Sequence, residues 1–381
     1  MGQVVQIDPF ATLHSTKSVR SLHEQGKGAL VKNIVLCDRS SLEFYAKARL
    51  FEARKLRGYG RVFGLPHYYC ASDVLERTPS RSAHLKLPSC TQDELCVLAE
   101  ELELPLPLHA FVPNAAARRR SEFLVPHVLP HGFTERCSQP LGNGAYVCRP
   151  ELMLLQLSQQ LDQLELIQLV CELSSSFVLD ESSSHGMIEA LPLIEPRRLS
   201  AFCERHRPVR NTSRLAAACG HAIPGTASPM EIALALILTL PYKLGGYGLP
   251  KPQANGTVRL SSLQQHVSGT RERRGDLLWA QEKLAVEYDS DQEHLGSEKL
   301  LRDTERRNAL LFSGHSVVTV TKRQLHSIDE MDKVAINIAK QLGRRIRPTR
   351  ADWGFRQEAL FEQLLGEQAG RSRRRVSIIA R

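Results

Sequence analysis

The sequence predicts a mixed α/β (α+β) protein of more than one unit, mainly helical in its N-terminal half and carrying paired strands towards its C-terminal end. Three observations support this. At 381 residues the chain exceeds a single ordinary domain of about 100–200 residues. Its 42% hydrophobic and 24% charged residues are the proportions of a chain that buries a core. Along it, segments with apolar residues at helical spacing are interleaved with short runs that alternate like strands, and two of these runs, GDLLWA and KLAVEYD, are adjacent.

Residues 1–30 show no sustained periodicity and are expected to be a loose arm. From Asn33, NIVLCDRSSLEFYAKARLFEARKLRGYG reads as a short strand, a Ser/Asp-rich cap and an amphipathic helix ended by Gly58. DELCVLAEELELPLPLHAFVP gives a short helix, a proline break and an extended run over 108–112. The loop NAAARRRSE leads into FLVPHVLP, a second extended run. After the turn LGNG, Pro150 suits a first helical turn, and the leucines that follow suit one long helix or two shorter ones. Residues 174–184 are serine-rich and read as a loop. A helix pair over EPRRLSAFCERHRP and RNTSRLAAACGHA precedes a unit starting near Thr226. That unit has the helix SPMEIALALILTLP, a Gly/Pro-rich passage GGYGLPKPQANG, a basic approach RERRG, the two adjacent strands, the helix LGSEKLLRDTERRNALLFSG and the strand SVVTVT. From about Asp329 the chain reads as helical and increasingly arginine-rich. The expected segments are 1–30, 31–105 (helical), 106–205 (α/β), 206–330 (strand-bearing) and 331–381 (tail).

No apolar run approaches the ~20 residues a membrane-spanning helix needs, and the first thirty residues lack a signal-peptide core; the expectation is a cytoplasmic protein. Nine cysteines, with no C-x-x-C spacing, suggest neither a disulfide framework nor a zinc knuckle. There is no G-x-S-x-G and no P-loop. The net charge of +9 is gathered in arginine clusters, a pattern that favours a polyanion such as DNA, although solvated surface arginines are the plainer reading.

The chemistry-bearing stretch is 276–294. With GDLLWA and KLAVEYD paired antiparallel about Gln281–Glu282, through a two-residue or a four-residue loop, Ala280 faces Lys283 and Asp276 falls across from Glu287. Alternation then brings Asp276, Glu287 and Asp289 to one face. Like charges opposed on a sheet are destabilising by up to about 1 kcal/mol unless a cation or a raised pKa compensates. An oxygen-only cluster suits Mg²⁺ or Mn²⁺ and phosphodiester hydrolysis.

The pattern D-L-x-W…V-E-Y-D-S…H…R-D…R-R-N-A-L…G…V-V-T-V-T over Asp276 to Thr321 resembles the very-short-patch-repair-like endonuclease domain of the PD-(D/E)xK superfamily. The resemblance implies a restriction-endonuclease-like mixed sheet flanked by helices. It implies Asp276 and Glu287 as metal ligands and Asp289 where the superfamily more often has lysine. His294 becomes a candidate for water activation, and Glu231 in T-A-S-P-M-E the acidic residue of the preceding helix. More loosely, the stretch from PLHAFVP through the arginine loop and VPHVLP to the leucine-rich helix is similar to bacterial type IV abortive-infection antitoxin-like regulators. In these a winged-helix region corresponds to 31–105.

Each candidate also has a plain structural role. Ser228, Pro229 and Glu231 make a helix capping box; Asp276 is a turn aspartate after Gly275; Asp303 and Arg307 are an i, i+4 ion pair. Arg271, Arg273, Arg274 and Arg306 are the candidate DNA contacts. Three functions are expected of such a chain: an Mg²⁺-dependent endonuclease, a catalytically inactive DNA-binding or antitoxin-like regulator, or a module whose basic face meets an acidic protein.

Overall fold

The structure, a computed structural model, describes residues 33–56, 90–130, 133, 137–259, 271–289, 313–348 and 350–366. The expected arm 1–30 and the end of the tail after 366 lie outside these residues. The fold is mixed α/β, as expected. By its internal contacts the chain divides into two units, with breaks between Phe44 and Tyr45 and between Arg149 and Pro150.

The first unit is built on a five-stranded sheet. The apolar run IVL forms β1 (Ile34–Leu36), which is buried throughout and central in the order β3-β2-β1-β5-β4. It lies antiparallel to β2 (Leu108–Val112) and parallel to β5 (Ala145–Cys148). The strand β3 (Leu124–Val128) runs parallel to β2, and β4 (Ser138–Gly142) is antiparallel to β5. Pro126 has no N–H for a ladder and sits on the edge strand β3, where none is required on the outer side. Asn143 and Gly144, both at positive φ, close the β4–β5 hairpin at the LGNG turn. The sheet thus draws on both sides of residue 105. Helix α1 (Asp38–Leu56) starts one residue after β1, and α2 (Gln92–Glu101) opens with a Thr91–Glu94 capping box.

In the second unit the leucine-rich stretch forms two helices, α3 (Pro150–Leu157) and α4 (Gln163–Leu173), separated where Asp162 caps α4 reciprocally with Glu165. The serine-rich stretch 174–184, expected as a loop, contains β6 (Phe177–Leu179), which forms a hairpin with β7 (Met187–Glu189) just beyond it. These strands form because Val178 and Ile188 find Leu50 and Ala53 of α1 to pack against. Helices α5 (Pro196–Arg205) and α6 (Thr212–His221) pack together, and α7 (Pro229–Thr239) is buried from Glu231 to Leu238, as an apolar-all-round helix should be.

Helix α7 packs on a four-stranded mixed sheet of order β11-β10-β9-β8. Strands β8 (Gln253–Arg259), β9 (Glu272–Trp279) and β10 (Leu284–Asp289) are successively antiparallel, and β11 (Ser316–Thr321) is parallel to β10. Two segments that the sequence did not mark as strand are strand. QANGTVR is β8, and the approach RERRG belongs to β9, with Arg273 and Arg274 laddered to Val258 and Thr257. Their polar sequence hides a pairing made by backbone groups and by two facing glycines. A Cβ on Gly256 would lie 2.7 Å from Leu278 Cβ, and one on Gly275 3.3 Å from Ala285 Cβ. This close approach lets Val258 join Leu278, Ala285 and Val317 in one apolar cluster.

After the short α8 (Lys322–Leu325) come α9 (Ile328–Gln341) and α10 (Trp353–Leu365). They are tied to the Gly-rich passage after α7 by a buried network. The Tyr247 hydroxyl donates to Asp332 Oδ1 at 2.6 Å, and Gln357 Nε2 donates to both Tyr247 Oη and Asp332 Oδ1 at 2.9 Å. Burial and the Asp332 carboxylate push the Tyr247 phenol up, so it stays a donor at neutral pH. Among the described residues no helix is long and apolar enough to cross a membrane.

Candidate functional site

The β9–β10 register is the one expected from sequence. Leu284 pairs with Trp279, Ala285 with Leu278 and Val286 with Leu277, around a four-residue loop Ala280–Lys283 in which Lys283 takes a positive φ. Continued by one step, this register sets Asp276 across from Glu287. The ladder itself ends at Leu277, and beyond it the Asp276 carboxylate takes over: its Oδ2 accepts the Tyr288 N–H at 2.8 Å. Asp289 lies at the end of β10, paired with Thr321 of β11.

Glu231 stands in the first turn of α7, the helix packed on β9 and β10. Ser228 Oγ caps the Glu231 N–H at 3.1 Å, as the capping reading expects. The carboxylate reaches back as well. Oε2 accepts from the Ala227 N–H at 2.8 Å and from Asn255 Nδ2 at 2.9 Å, and Oε1 accepts from Ser228 Oγ at 3.1 Å. Asn255 at φ 50 interrupts β8 between its pairings at Ala254 and Gly256, and this interruption presents its amide to Glu231. Burial raises the Glu231 pKa, the negative charge of Asp276 raises it further, and the three hydrogen bonds oppose the rise. The helix acid and the strand acid therefore share one electrostatic environment.

Arg271 is exposed just before β9, Arg274 is exposed within it, and Arg273 is half-buried. On the neighbouring strand Arg259 approaches Glu272 at 3.5 Å. His294, Arg306, Asp303 and Arg307 lie outside the described residues. The four acids do not close into a ligand cage: among the described residues, the three donors found within 4.8 Å of one another are in the first unit.

That group is Asp38, His109 and His127, and sequence reasoning missed it. Asp38 follows β1 at φ 50 as the first residue of α1 and is buried. His109 on β2 and His127 on β3 are diagonal neighbours, since His109 pairs with Val125 and Phe111 with His127. The two rings stack with centroids 5.0 Å apart, and His109 Nδ1 lies 2.9 Å from His127 Nε2. Asp38 Oδ1 lies 3.6 Å from His109 Nδ1, and Oδ2 lies 3.9 Å from His127 Nδ1. Backbone bonds hold the junction: the Cys37 N–H donates to His109 O, and the His109 N–H to Ser40 Oγ, both at 2.9 Å.

Burial pushes His109 down to about 4; the Asp38 carboxylate opposes this, while His127, Arg39 and Arg120 add to it. Burial also lowers His127, opposed by Asp38 and aided by Arg118. At neutral pH both rings are uncharged, so their approaches to Asp38 are not ion pairs. The only local sign in the sequence was one histidine in each of PLHAFVP and LVPHVLP; their meeting depends on the pairing of β2 with β3.

Comparison with family models, with curated proteins and with solved structures finds no match to this chain.

Proposed function

We propose that the β8–β11 sheet is the core of a metal-dependent DNA endonuclease of the very-short-patch-repair-like type, coupled to a regulator-like DNA-binding half. The observation that carries this reading is the register of β9 against β10. Continued one step past its last pair, Val286 with Leu277, it would bring Asp276 opposite Glu287, and the buried Glu231 of α7 has its pKa raised in part by the Asp276 charge. A mixed sheet with helix α7 packed on it is also what the resemblance implies.

The donor chemistry fits a hard divalent cation. Asp276, Glu287 and Asp289 offer carboxylate oxygens, and the mutual repulsion of Glu231 and Asp276 is the kind a cation relieves. Asp276 and Glu287 would hold Mg²⁺ or Mn²⁺, which when bound supplies Lewis-acid stabilisation of charge on a phosphodiester. Within the chain, the bond from the Tyr288 N–H orients Asp276, and the bonds from Ala227, Ser228 and Asn255 orient Glu231. Arg274, two residues from Asp276 along β9, and Arg271 at the start of the strand supply the positive charge that draws the DNA backbone to the acids.

The test compares wild type with Glu287→Ala for Mg²⁺-dependent cutting of plasmid DNA and for DNA retention on a gel. Cutting lost with retention preserved supports the reading; cutting that survives in the variant sinks it. A second reading, a catalytically inactive DNA-binding or antitoxin-like regulator on the same scaffold, is favoured by one observation: both Glu231 oxygens are already used in capping. It predicts salt-sensitive DNA binding with no metal requirement and no cutting by the wild type.

A further inference from the structure

We propose that Asp38, His109 and His127 form a binding site for a divalent transition metal of the Zn²⁺ class, held by two imidazoles and one carboxylate with a coordination position left for an anion. The site lies in the first unit and is independent of the endonuclease reading.

The donor set comes first. Two imidazole nitrogens and a carboxylate oxygen are borderline ligands, suited to Zn²⁺, Co²⁺, Ni²⁺ or Fe²⁺ better than to Mg²⁺. Three protein donors are the usual number at a site that keeps an exchangeable position. Spacing is the second argument. Around an ion with bonds of about 2.0–2.1 Å, tetrahedral donors lie about 3.3 Å apart. Here His109 Nδ1 lies 2.9 Å from His127 Nε2 and 3.6 Å from Asp38 Oδ1, two separations that bracket that spacing, and one donor atom from each of the three residues lies within 4.8 Å of the others.

Rigidity is the third argument. The histidines stand on two laddered strands, and Asp38 is fixed at a strand-to-helix junction. There the Arg39 N–H donates to Asp38 Oδ1 at 2.8 Å and Ser41 Oγ donates to the Asp38 carbonyl at 2.7 Å. Ordering of the ligands is therefore largely complete before the ion arrives.

The surroundings define the remaining ligand. Arg118 and Arg120 are exposed on the connection between β2 and β3, the strands that carry the two histidines, and Arg39 directly follows Asp38 in α1, so their positive charge is placed around the donors. Such a field weakens the hold on a bare cation and favours one whose last position carries an oxyanion. The arginine loop between β2 and β3 would then serve the site as an anion clamp.

Co²⁺ titration of the full chain, followed by visible d–d absorption, tests this. With Mg²⁺ in excess to occupy the strand carboxylates, we expect one Co²⁺ per chain, an intense low-symmetry band, and a change of that band on adding inorganic phosphate. In His127→Gln, which melts as wild type does without metal, we expect affinity at least about 100-fold weaker. No band in wild type, or an equal band in His127→Gln, overturns the site; a band indifferent to phosphate overturns the anion position. Should His127→Gln unfold, the wild type decides by histidine nitrogen NMR with Zn²⁺. Shifts at both rings support the site, and unchanged resonances overturn it.

Discussion

Replacing Arg49 with methionine should remove about 3–4 kcal/mol from the stability of the second unit. Arg49 is only 5% exposed, yet its partners are backbone carbonyls. Nε donates to Leu191 O at 3.1 Å, Nη1 to Glu172 O, and Nη2 to Ser175 O and Phe177 O, each at 3.2 Å. One guanidinium thus satisfies the C-terminal end of α4, the entry to β6 and the chain after β7. Burial lowers its pKa to about 10, with Glu172 and Glu52 opposing, so it stays charged at pH 7. Bonds of this length to neutral acceptors are worth about 1 kcal/mol each, or about 4 for the set. Methionine also leaves the carbonyls without their donor, while it relieves part of the cost of burying a cation. At about 2–4 °C per kcal/mol for a unit of this size, the calorimetric midpoint should fall by about 10 °C. Lysine, with no fork, should recover less than half. A methionine variant within about 1 kcal/mol of wild type by urea unfolding would show that the four Arg49 bonds do not stabilise the unit.

Other outcomes are equally specific. The Arg54 fork beside Asp180, with help from Ser182, holds that carboxyl well below its ordinary 3.8; its contribution is present above that pH and lost as pH falls below it. Asp180→Asn should therefore flatten the acid limb of a plot of urea midpoint against pH, and an unchanged limb would contradict this. Tyr247→Phe should cost about 1–2 kcal/mol by urea unfolding, because Asp332 loses the buried hydroxyl that donates to it. Gly256→Val should lower the melting midpoint, since a Cβ there meets Leu278 Cβ at 2.7 Å, and a variant that melts with wild type would contradict the close approach. If the β9 arginines meet phosphate, Arg271→Ala with Arg274→Ala should lower the slope of log K against log salt by about 2, as read by fluorescence anisotropy on duplex DNA. A parallel line of lower affinity would place their effect elsewhere.

What was legible in the sequence was local or nearly so. The apolar spacing of SPMEIALALILT, its Ser228 cap and the hairpin register around Gln281–Glu282 depend on residues a few positions apart, and each is found as read. The expected opposition of Asp276 to Glu287 is that pairing continued one step beyond the end of the ladder at Leu277. Strand β8 was not legible, since QANGTVR lacks apolar alternation and is strand because β9 ladders with it over facing glycines. The same holds for β6 and β7, whose side chains needed α1 to cover them.

By itself the sequence determined the mixed helical and strand character, the caps, the basic clusters and the acid-bearing hairpin, because those rest on periodicity and on neighbours along the chain. Tertiary structure alone decided that Asp38, 71 residues before His109 and 89 before His127, meets them both. That meeting requires β1 to enter the sheet beside β2, and β2 to pair with β3 in one register. It likewise decided that Glu231 feels Asp276, since this depends on α7 packing on the strands and on Asn255 leaving the β8 ladder to bond the Glu231 carboxylate. Charges and ligands act through space, and the distance that sets their strength is fixed only when the chain has folded.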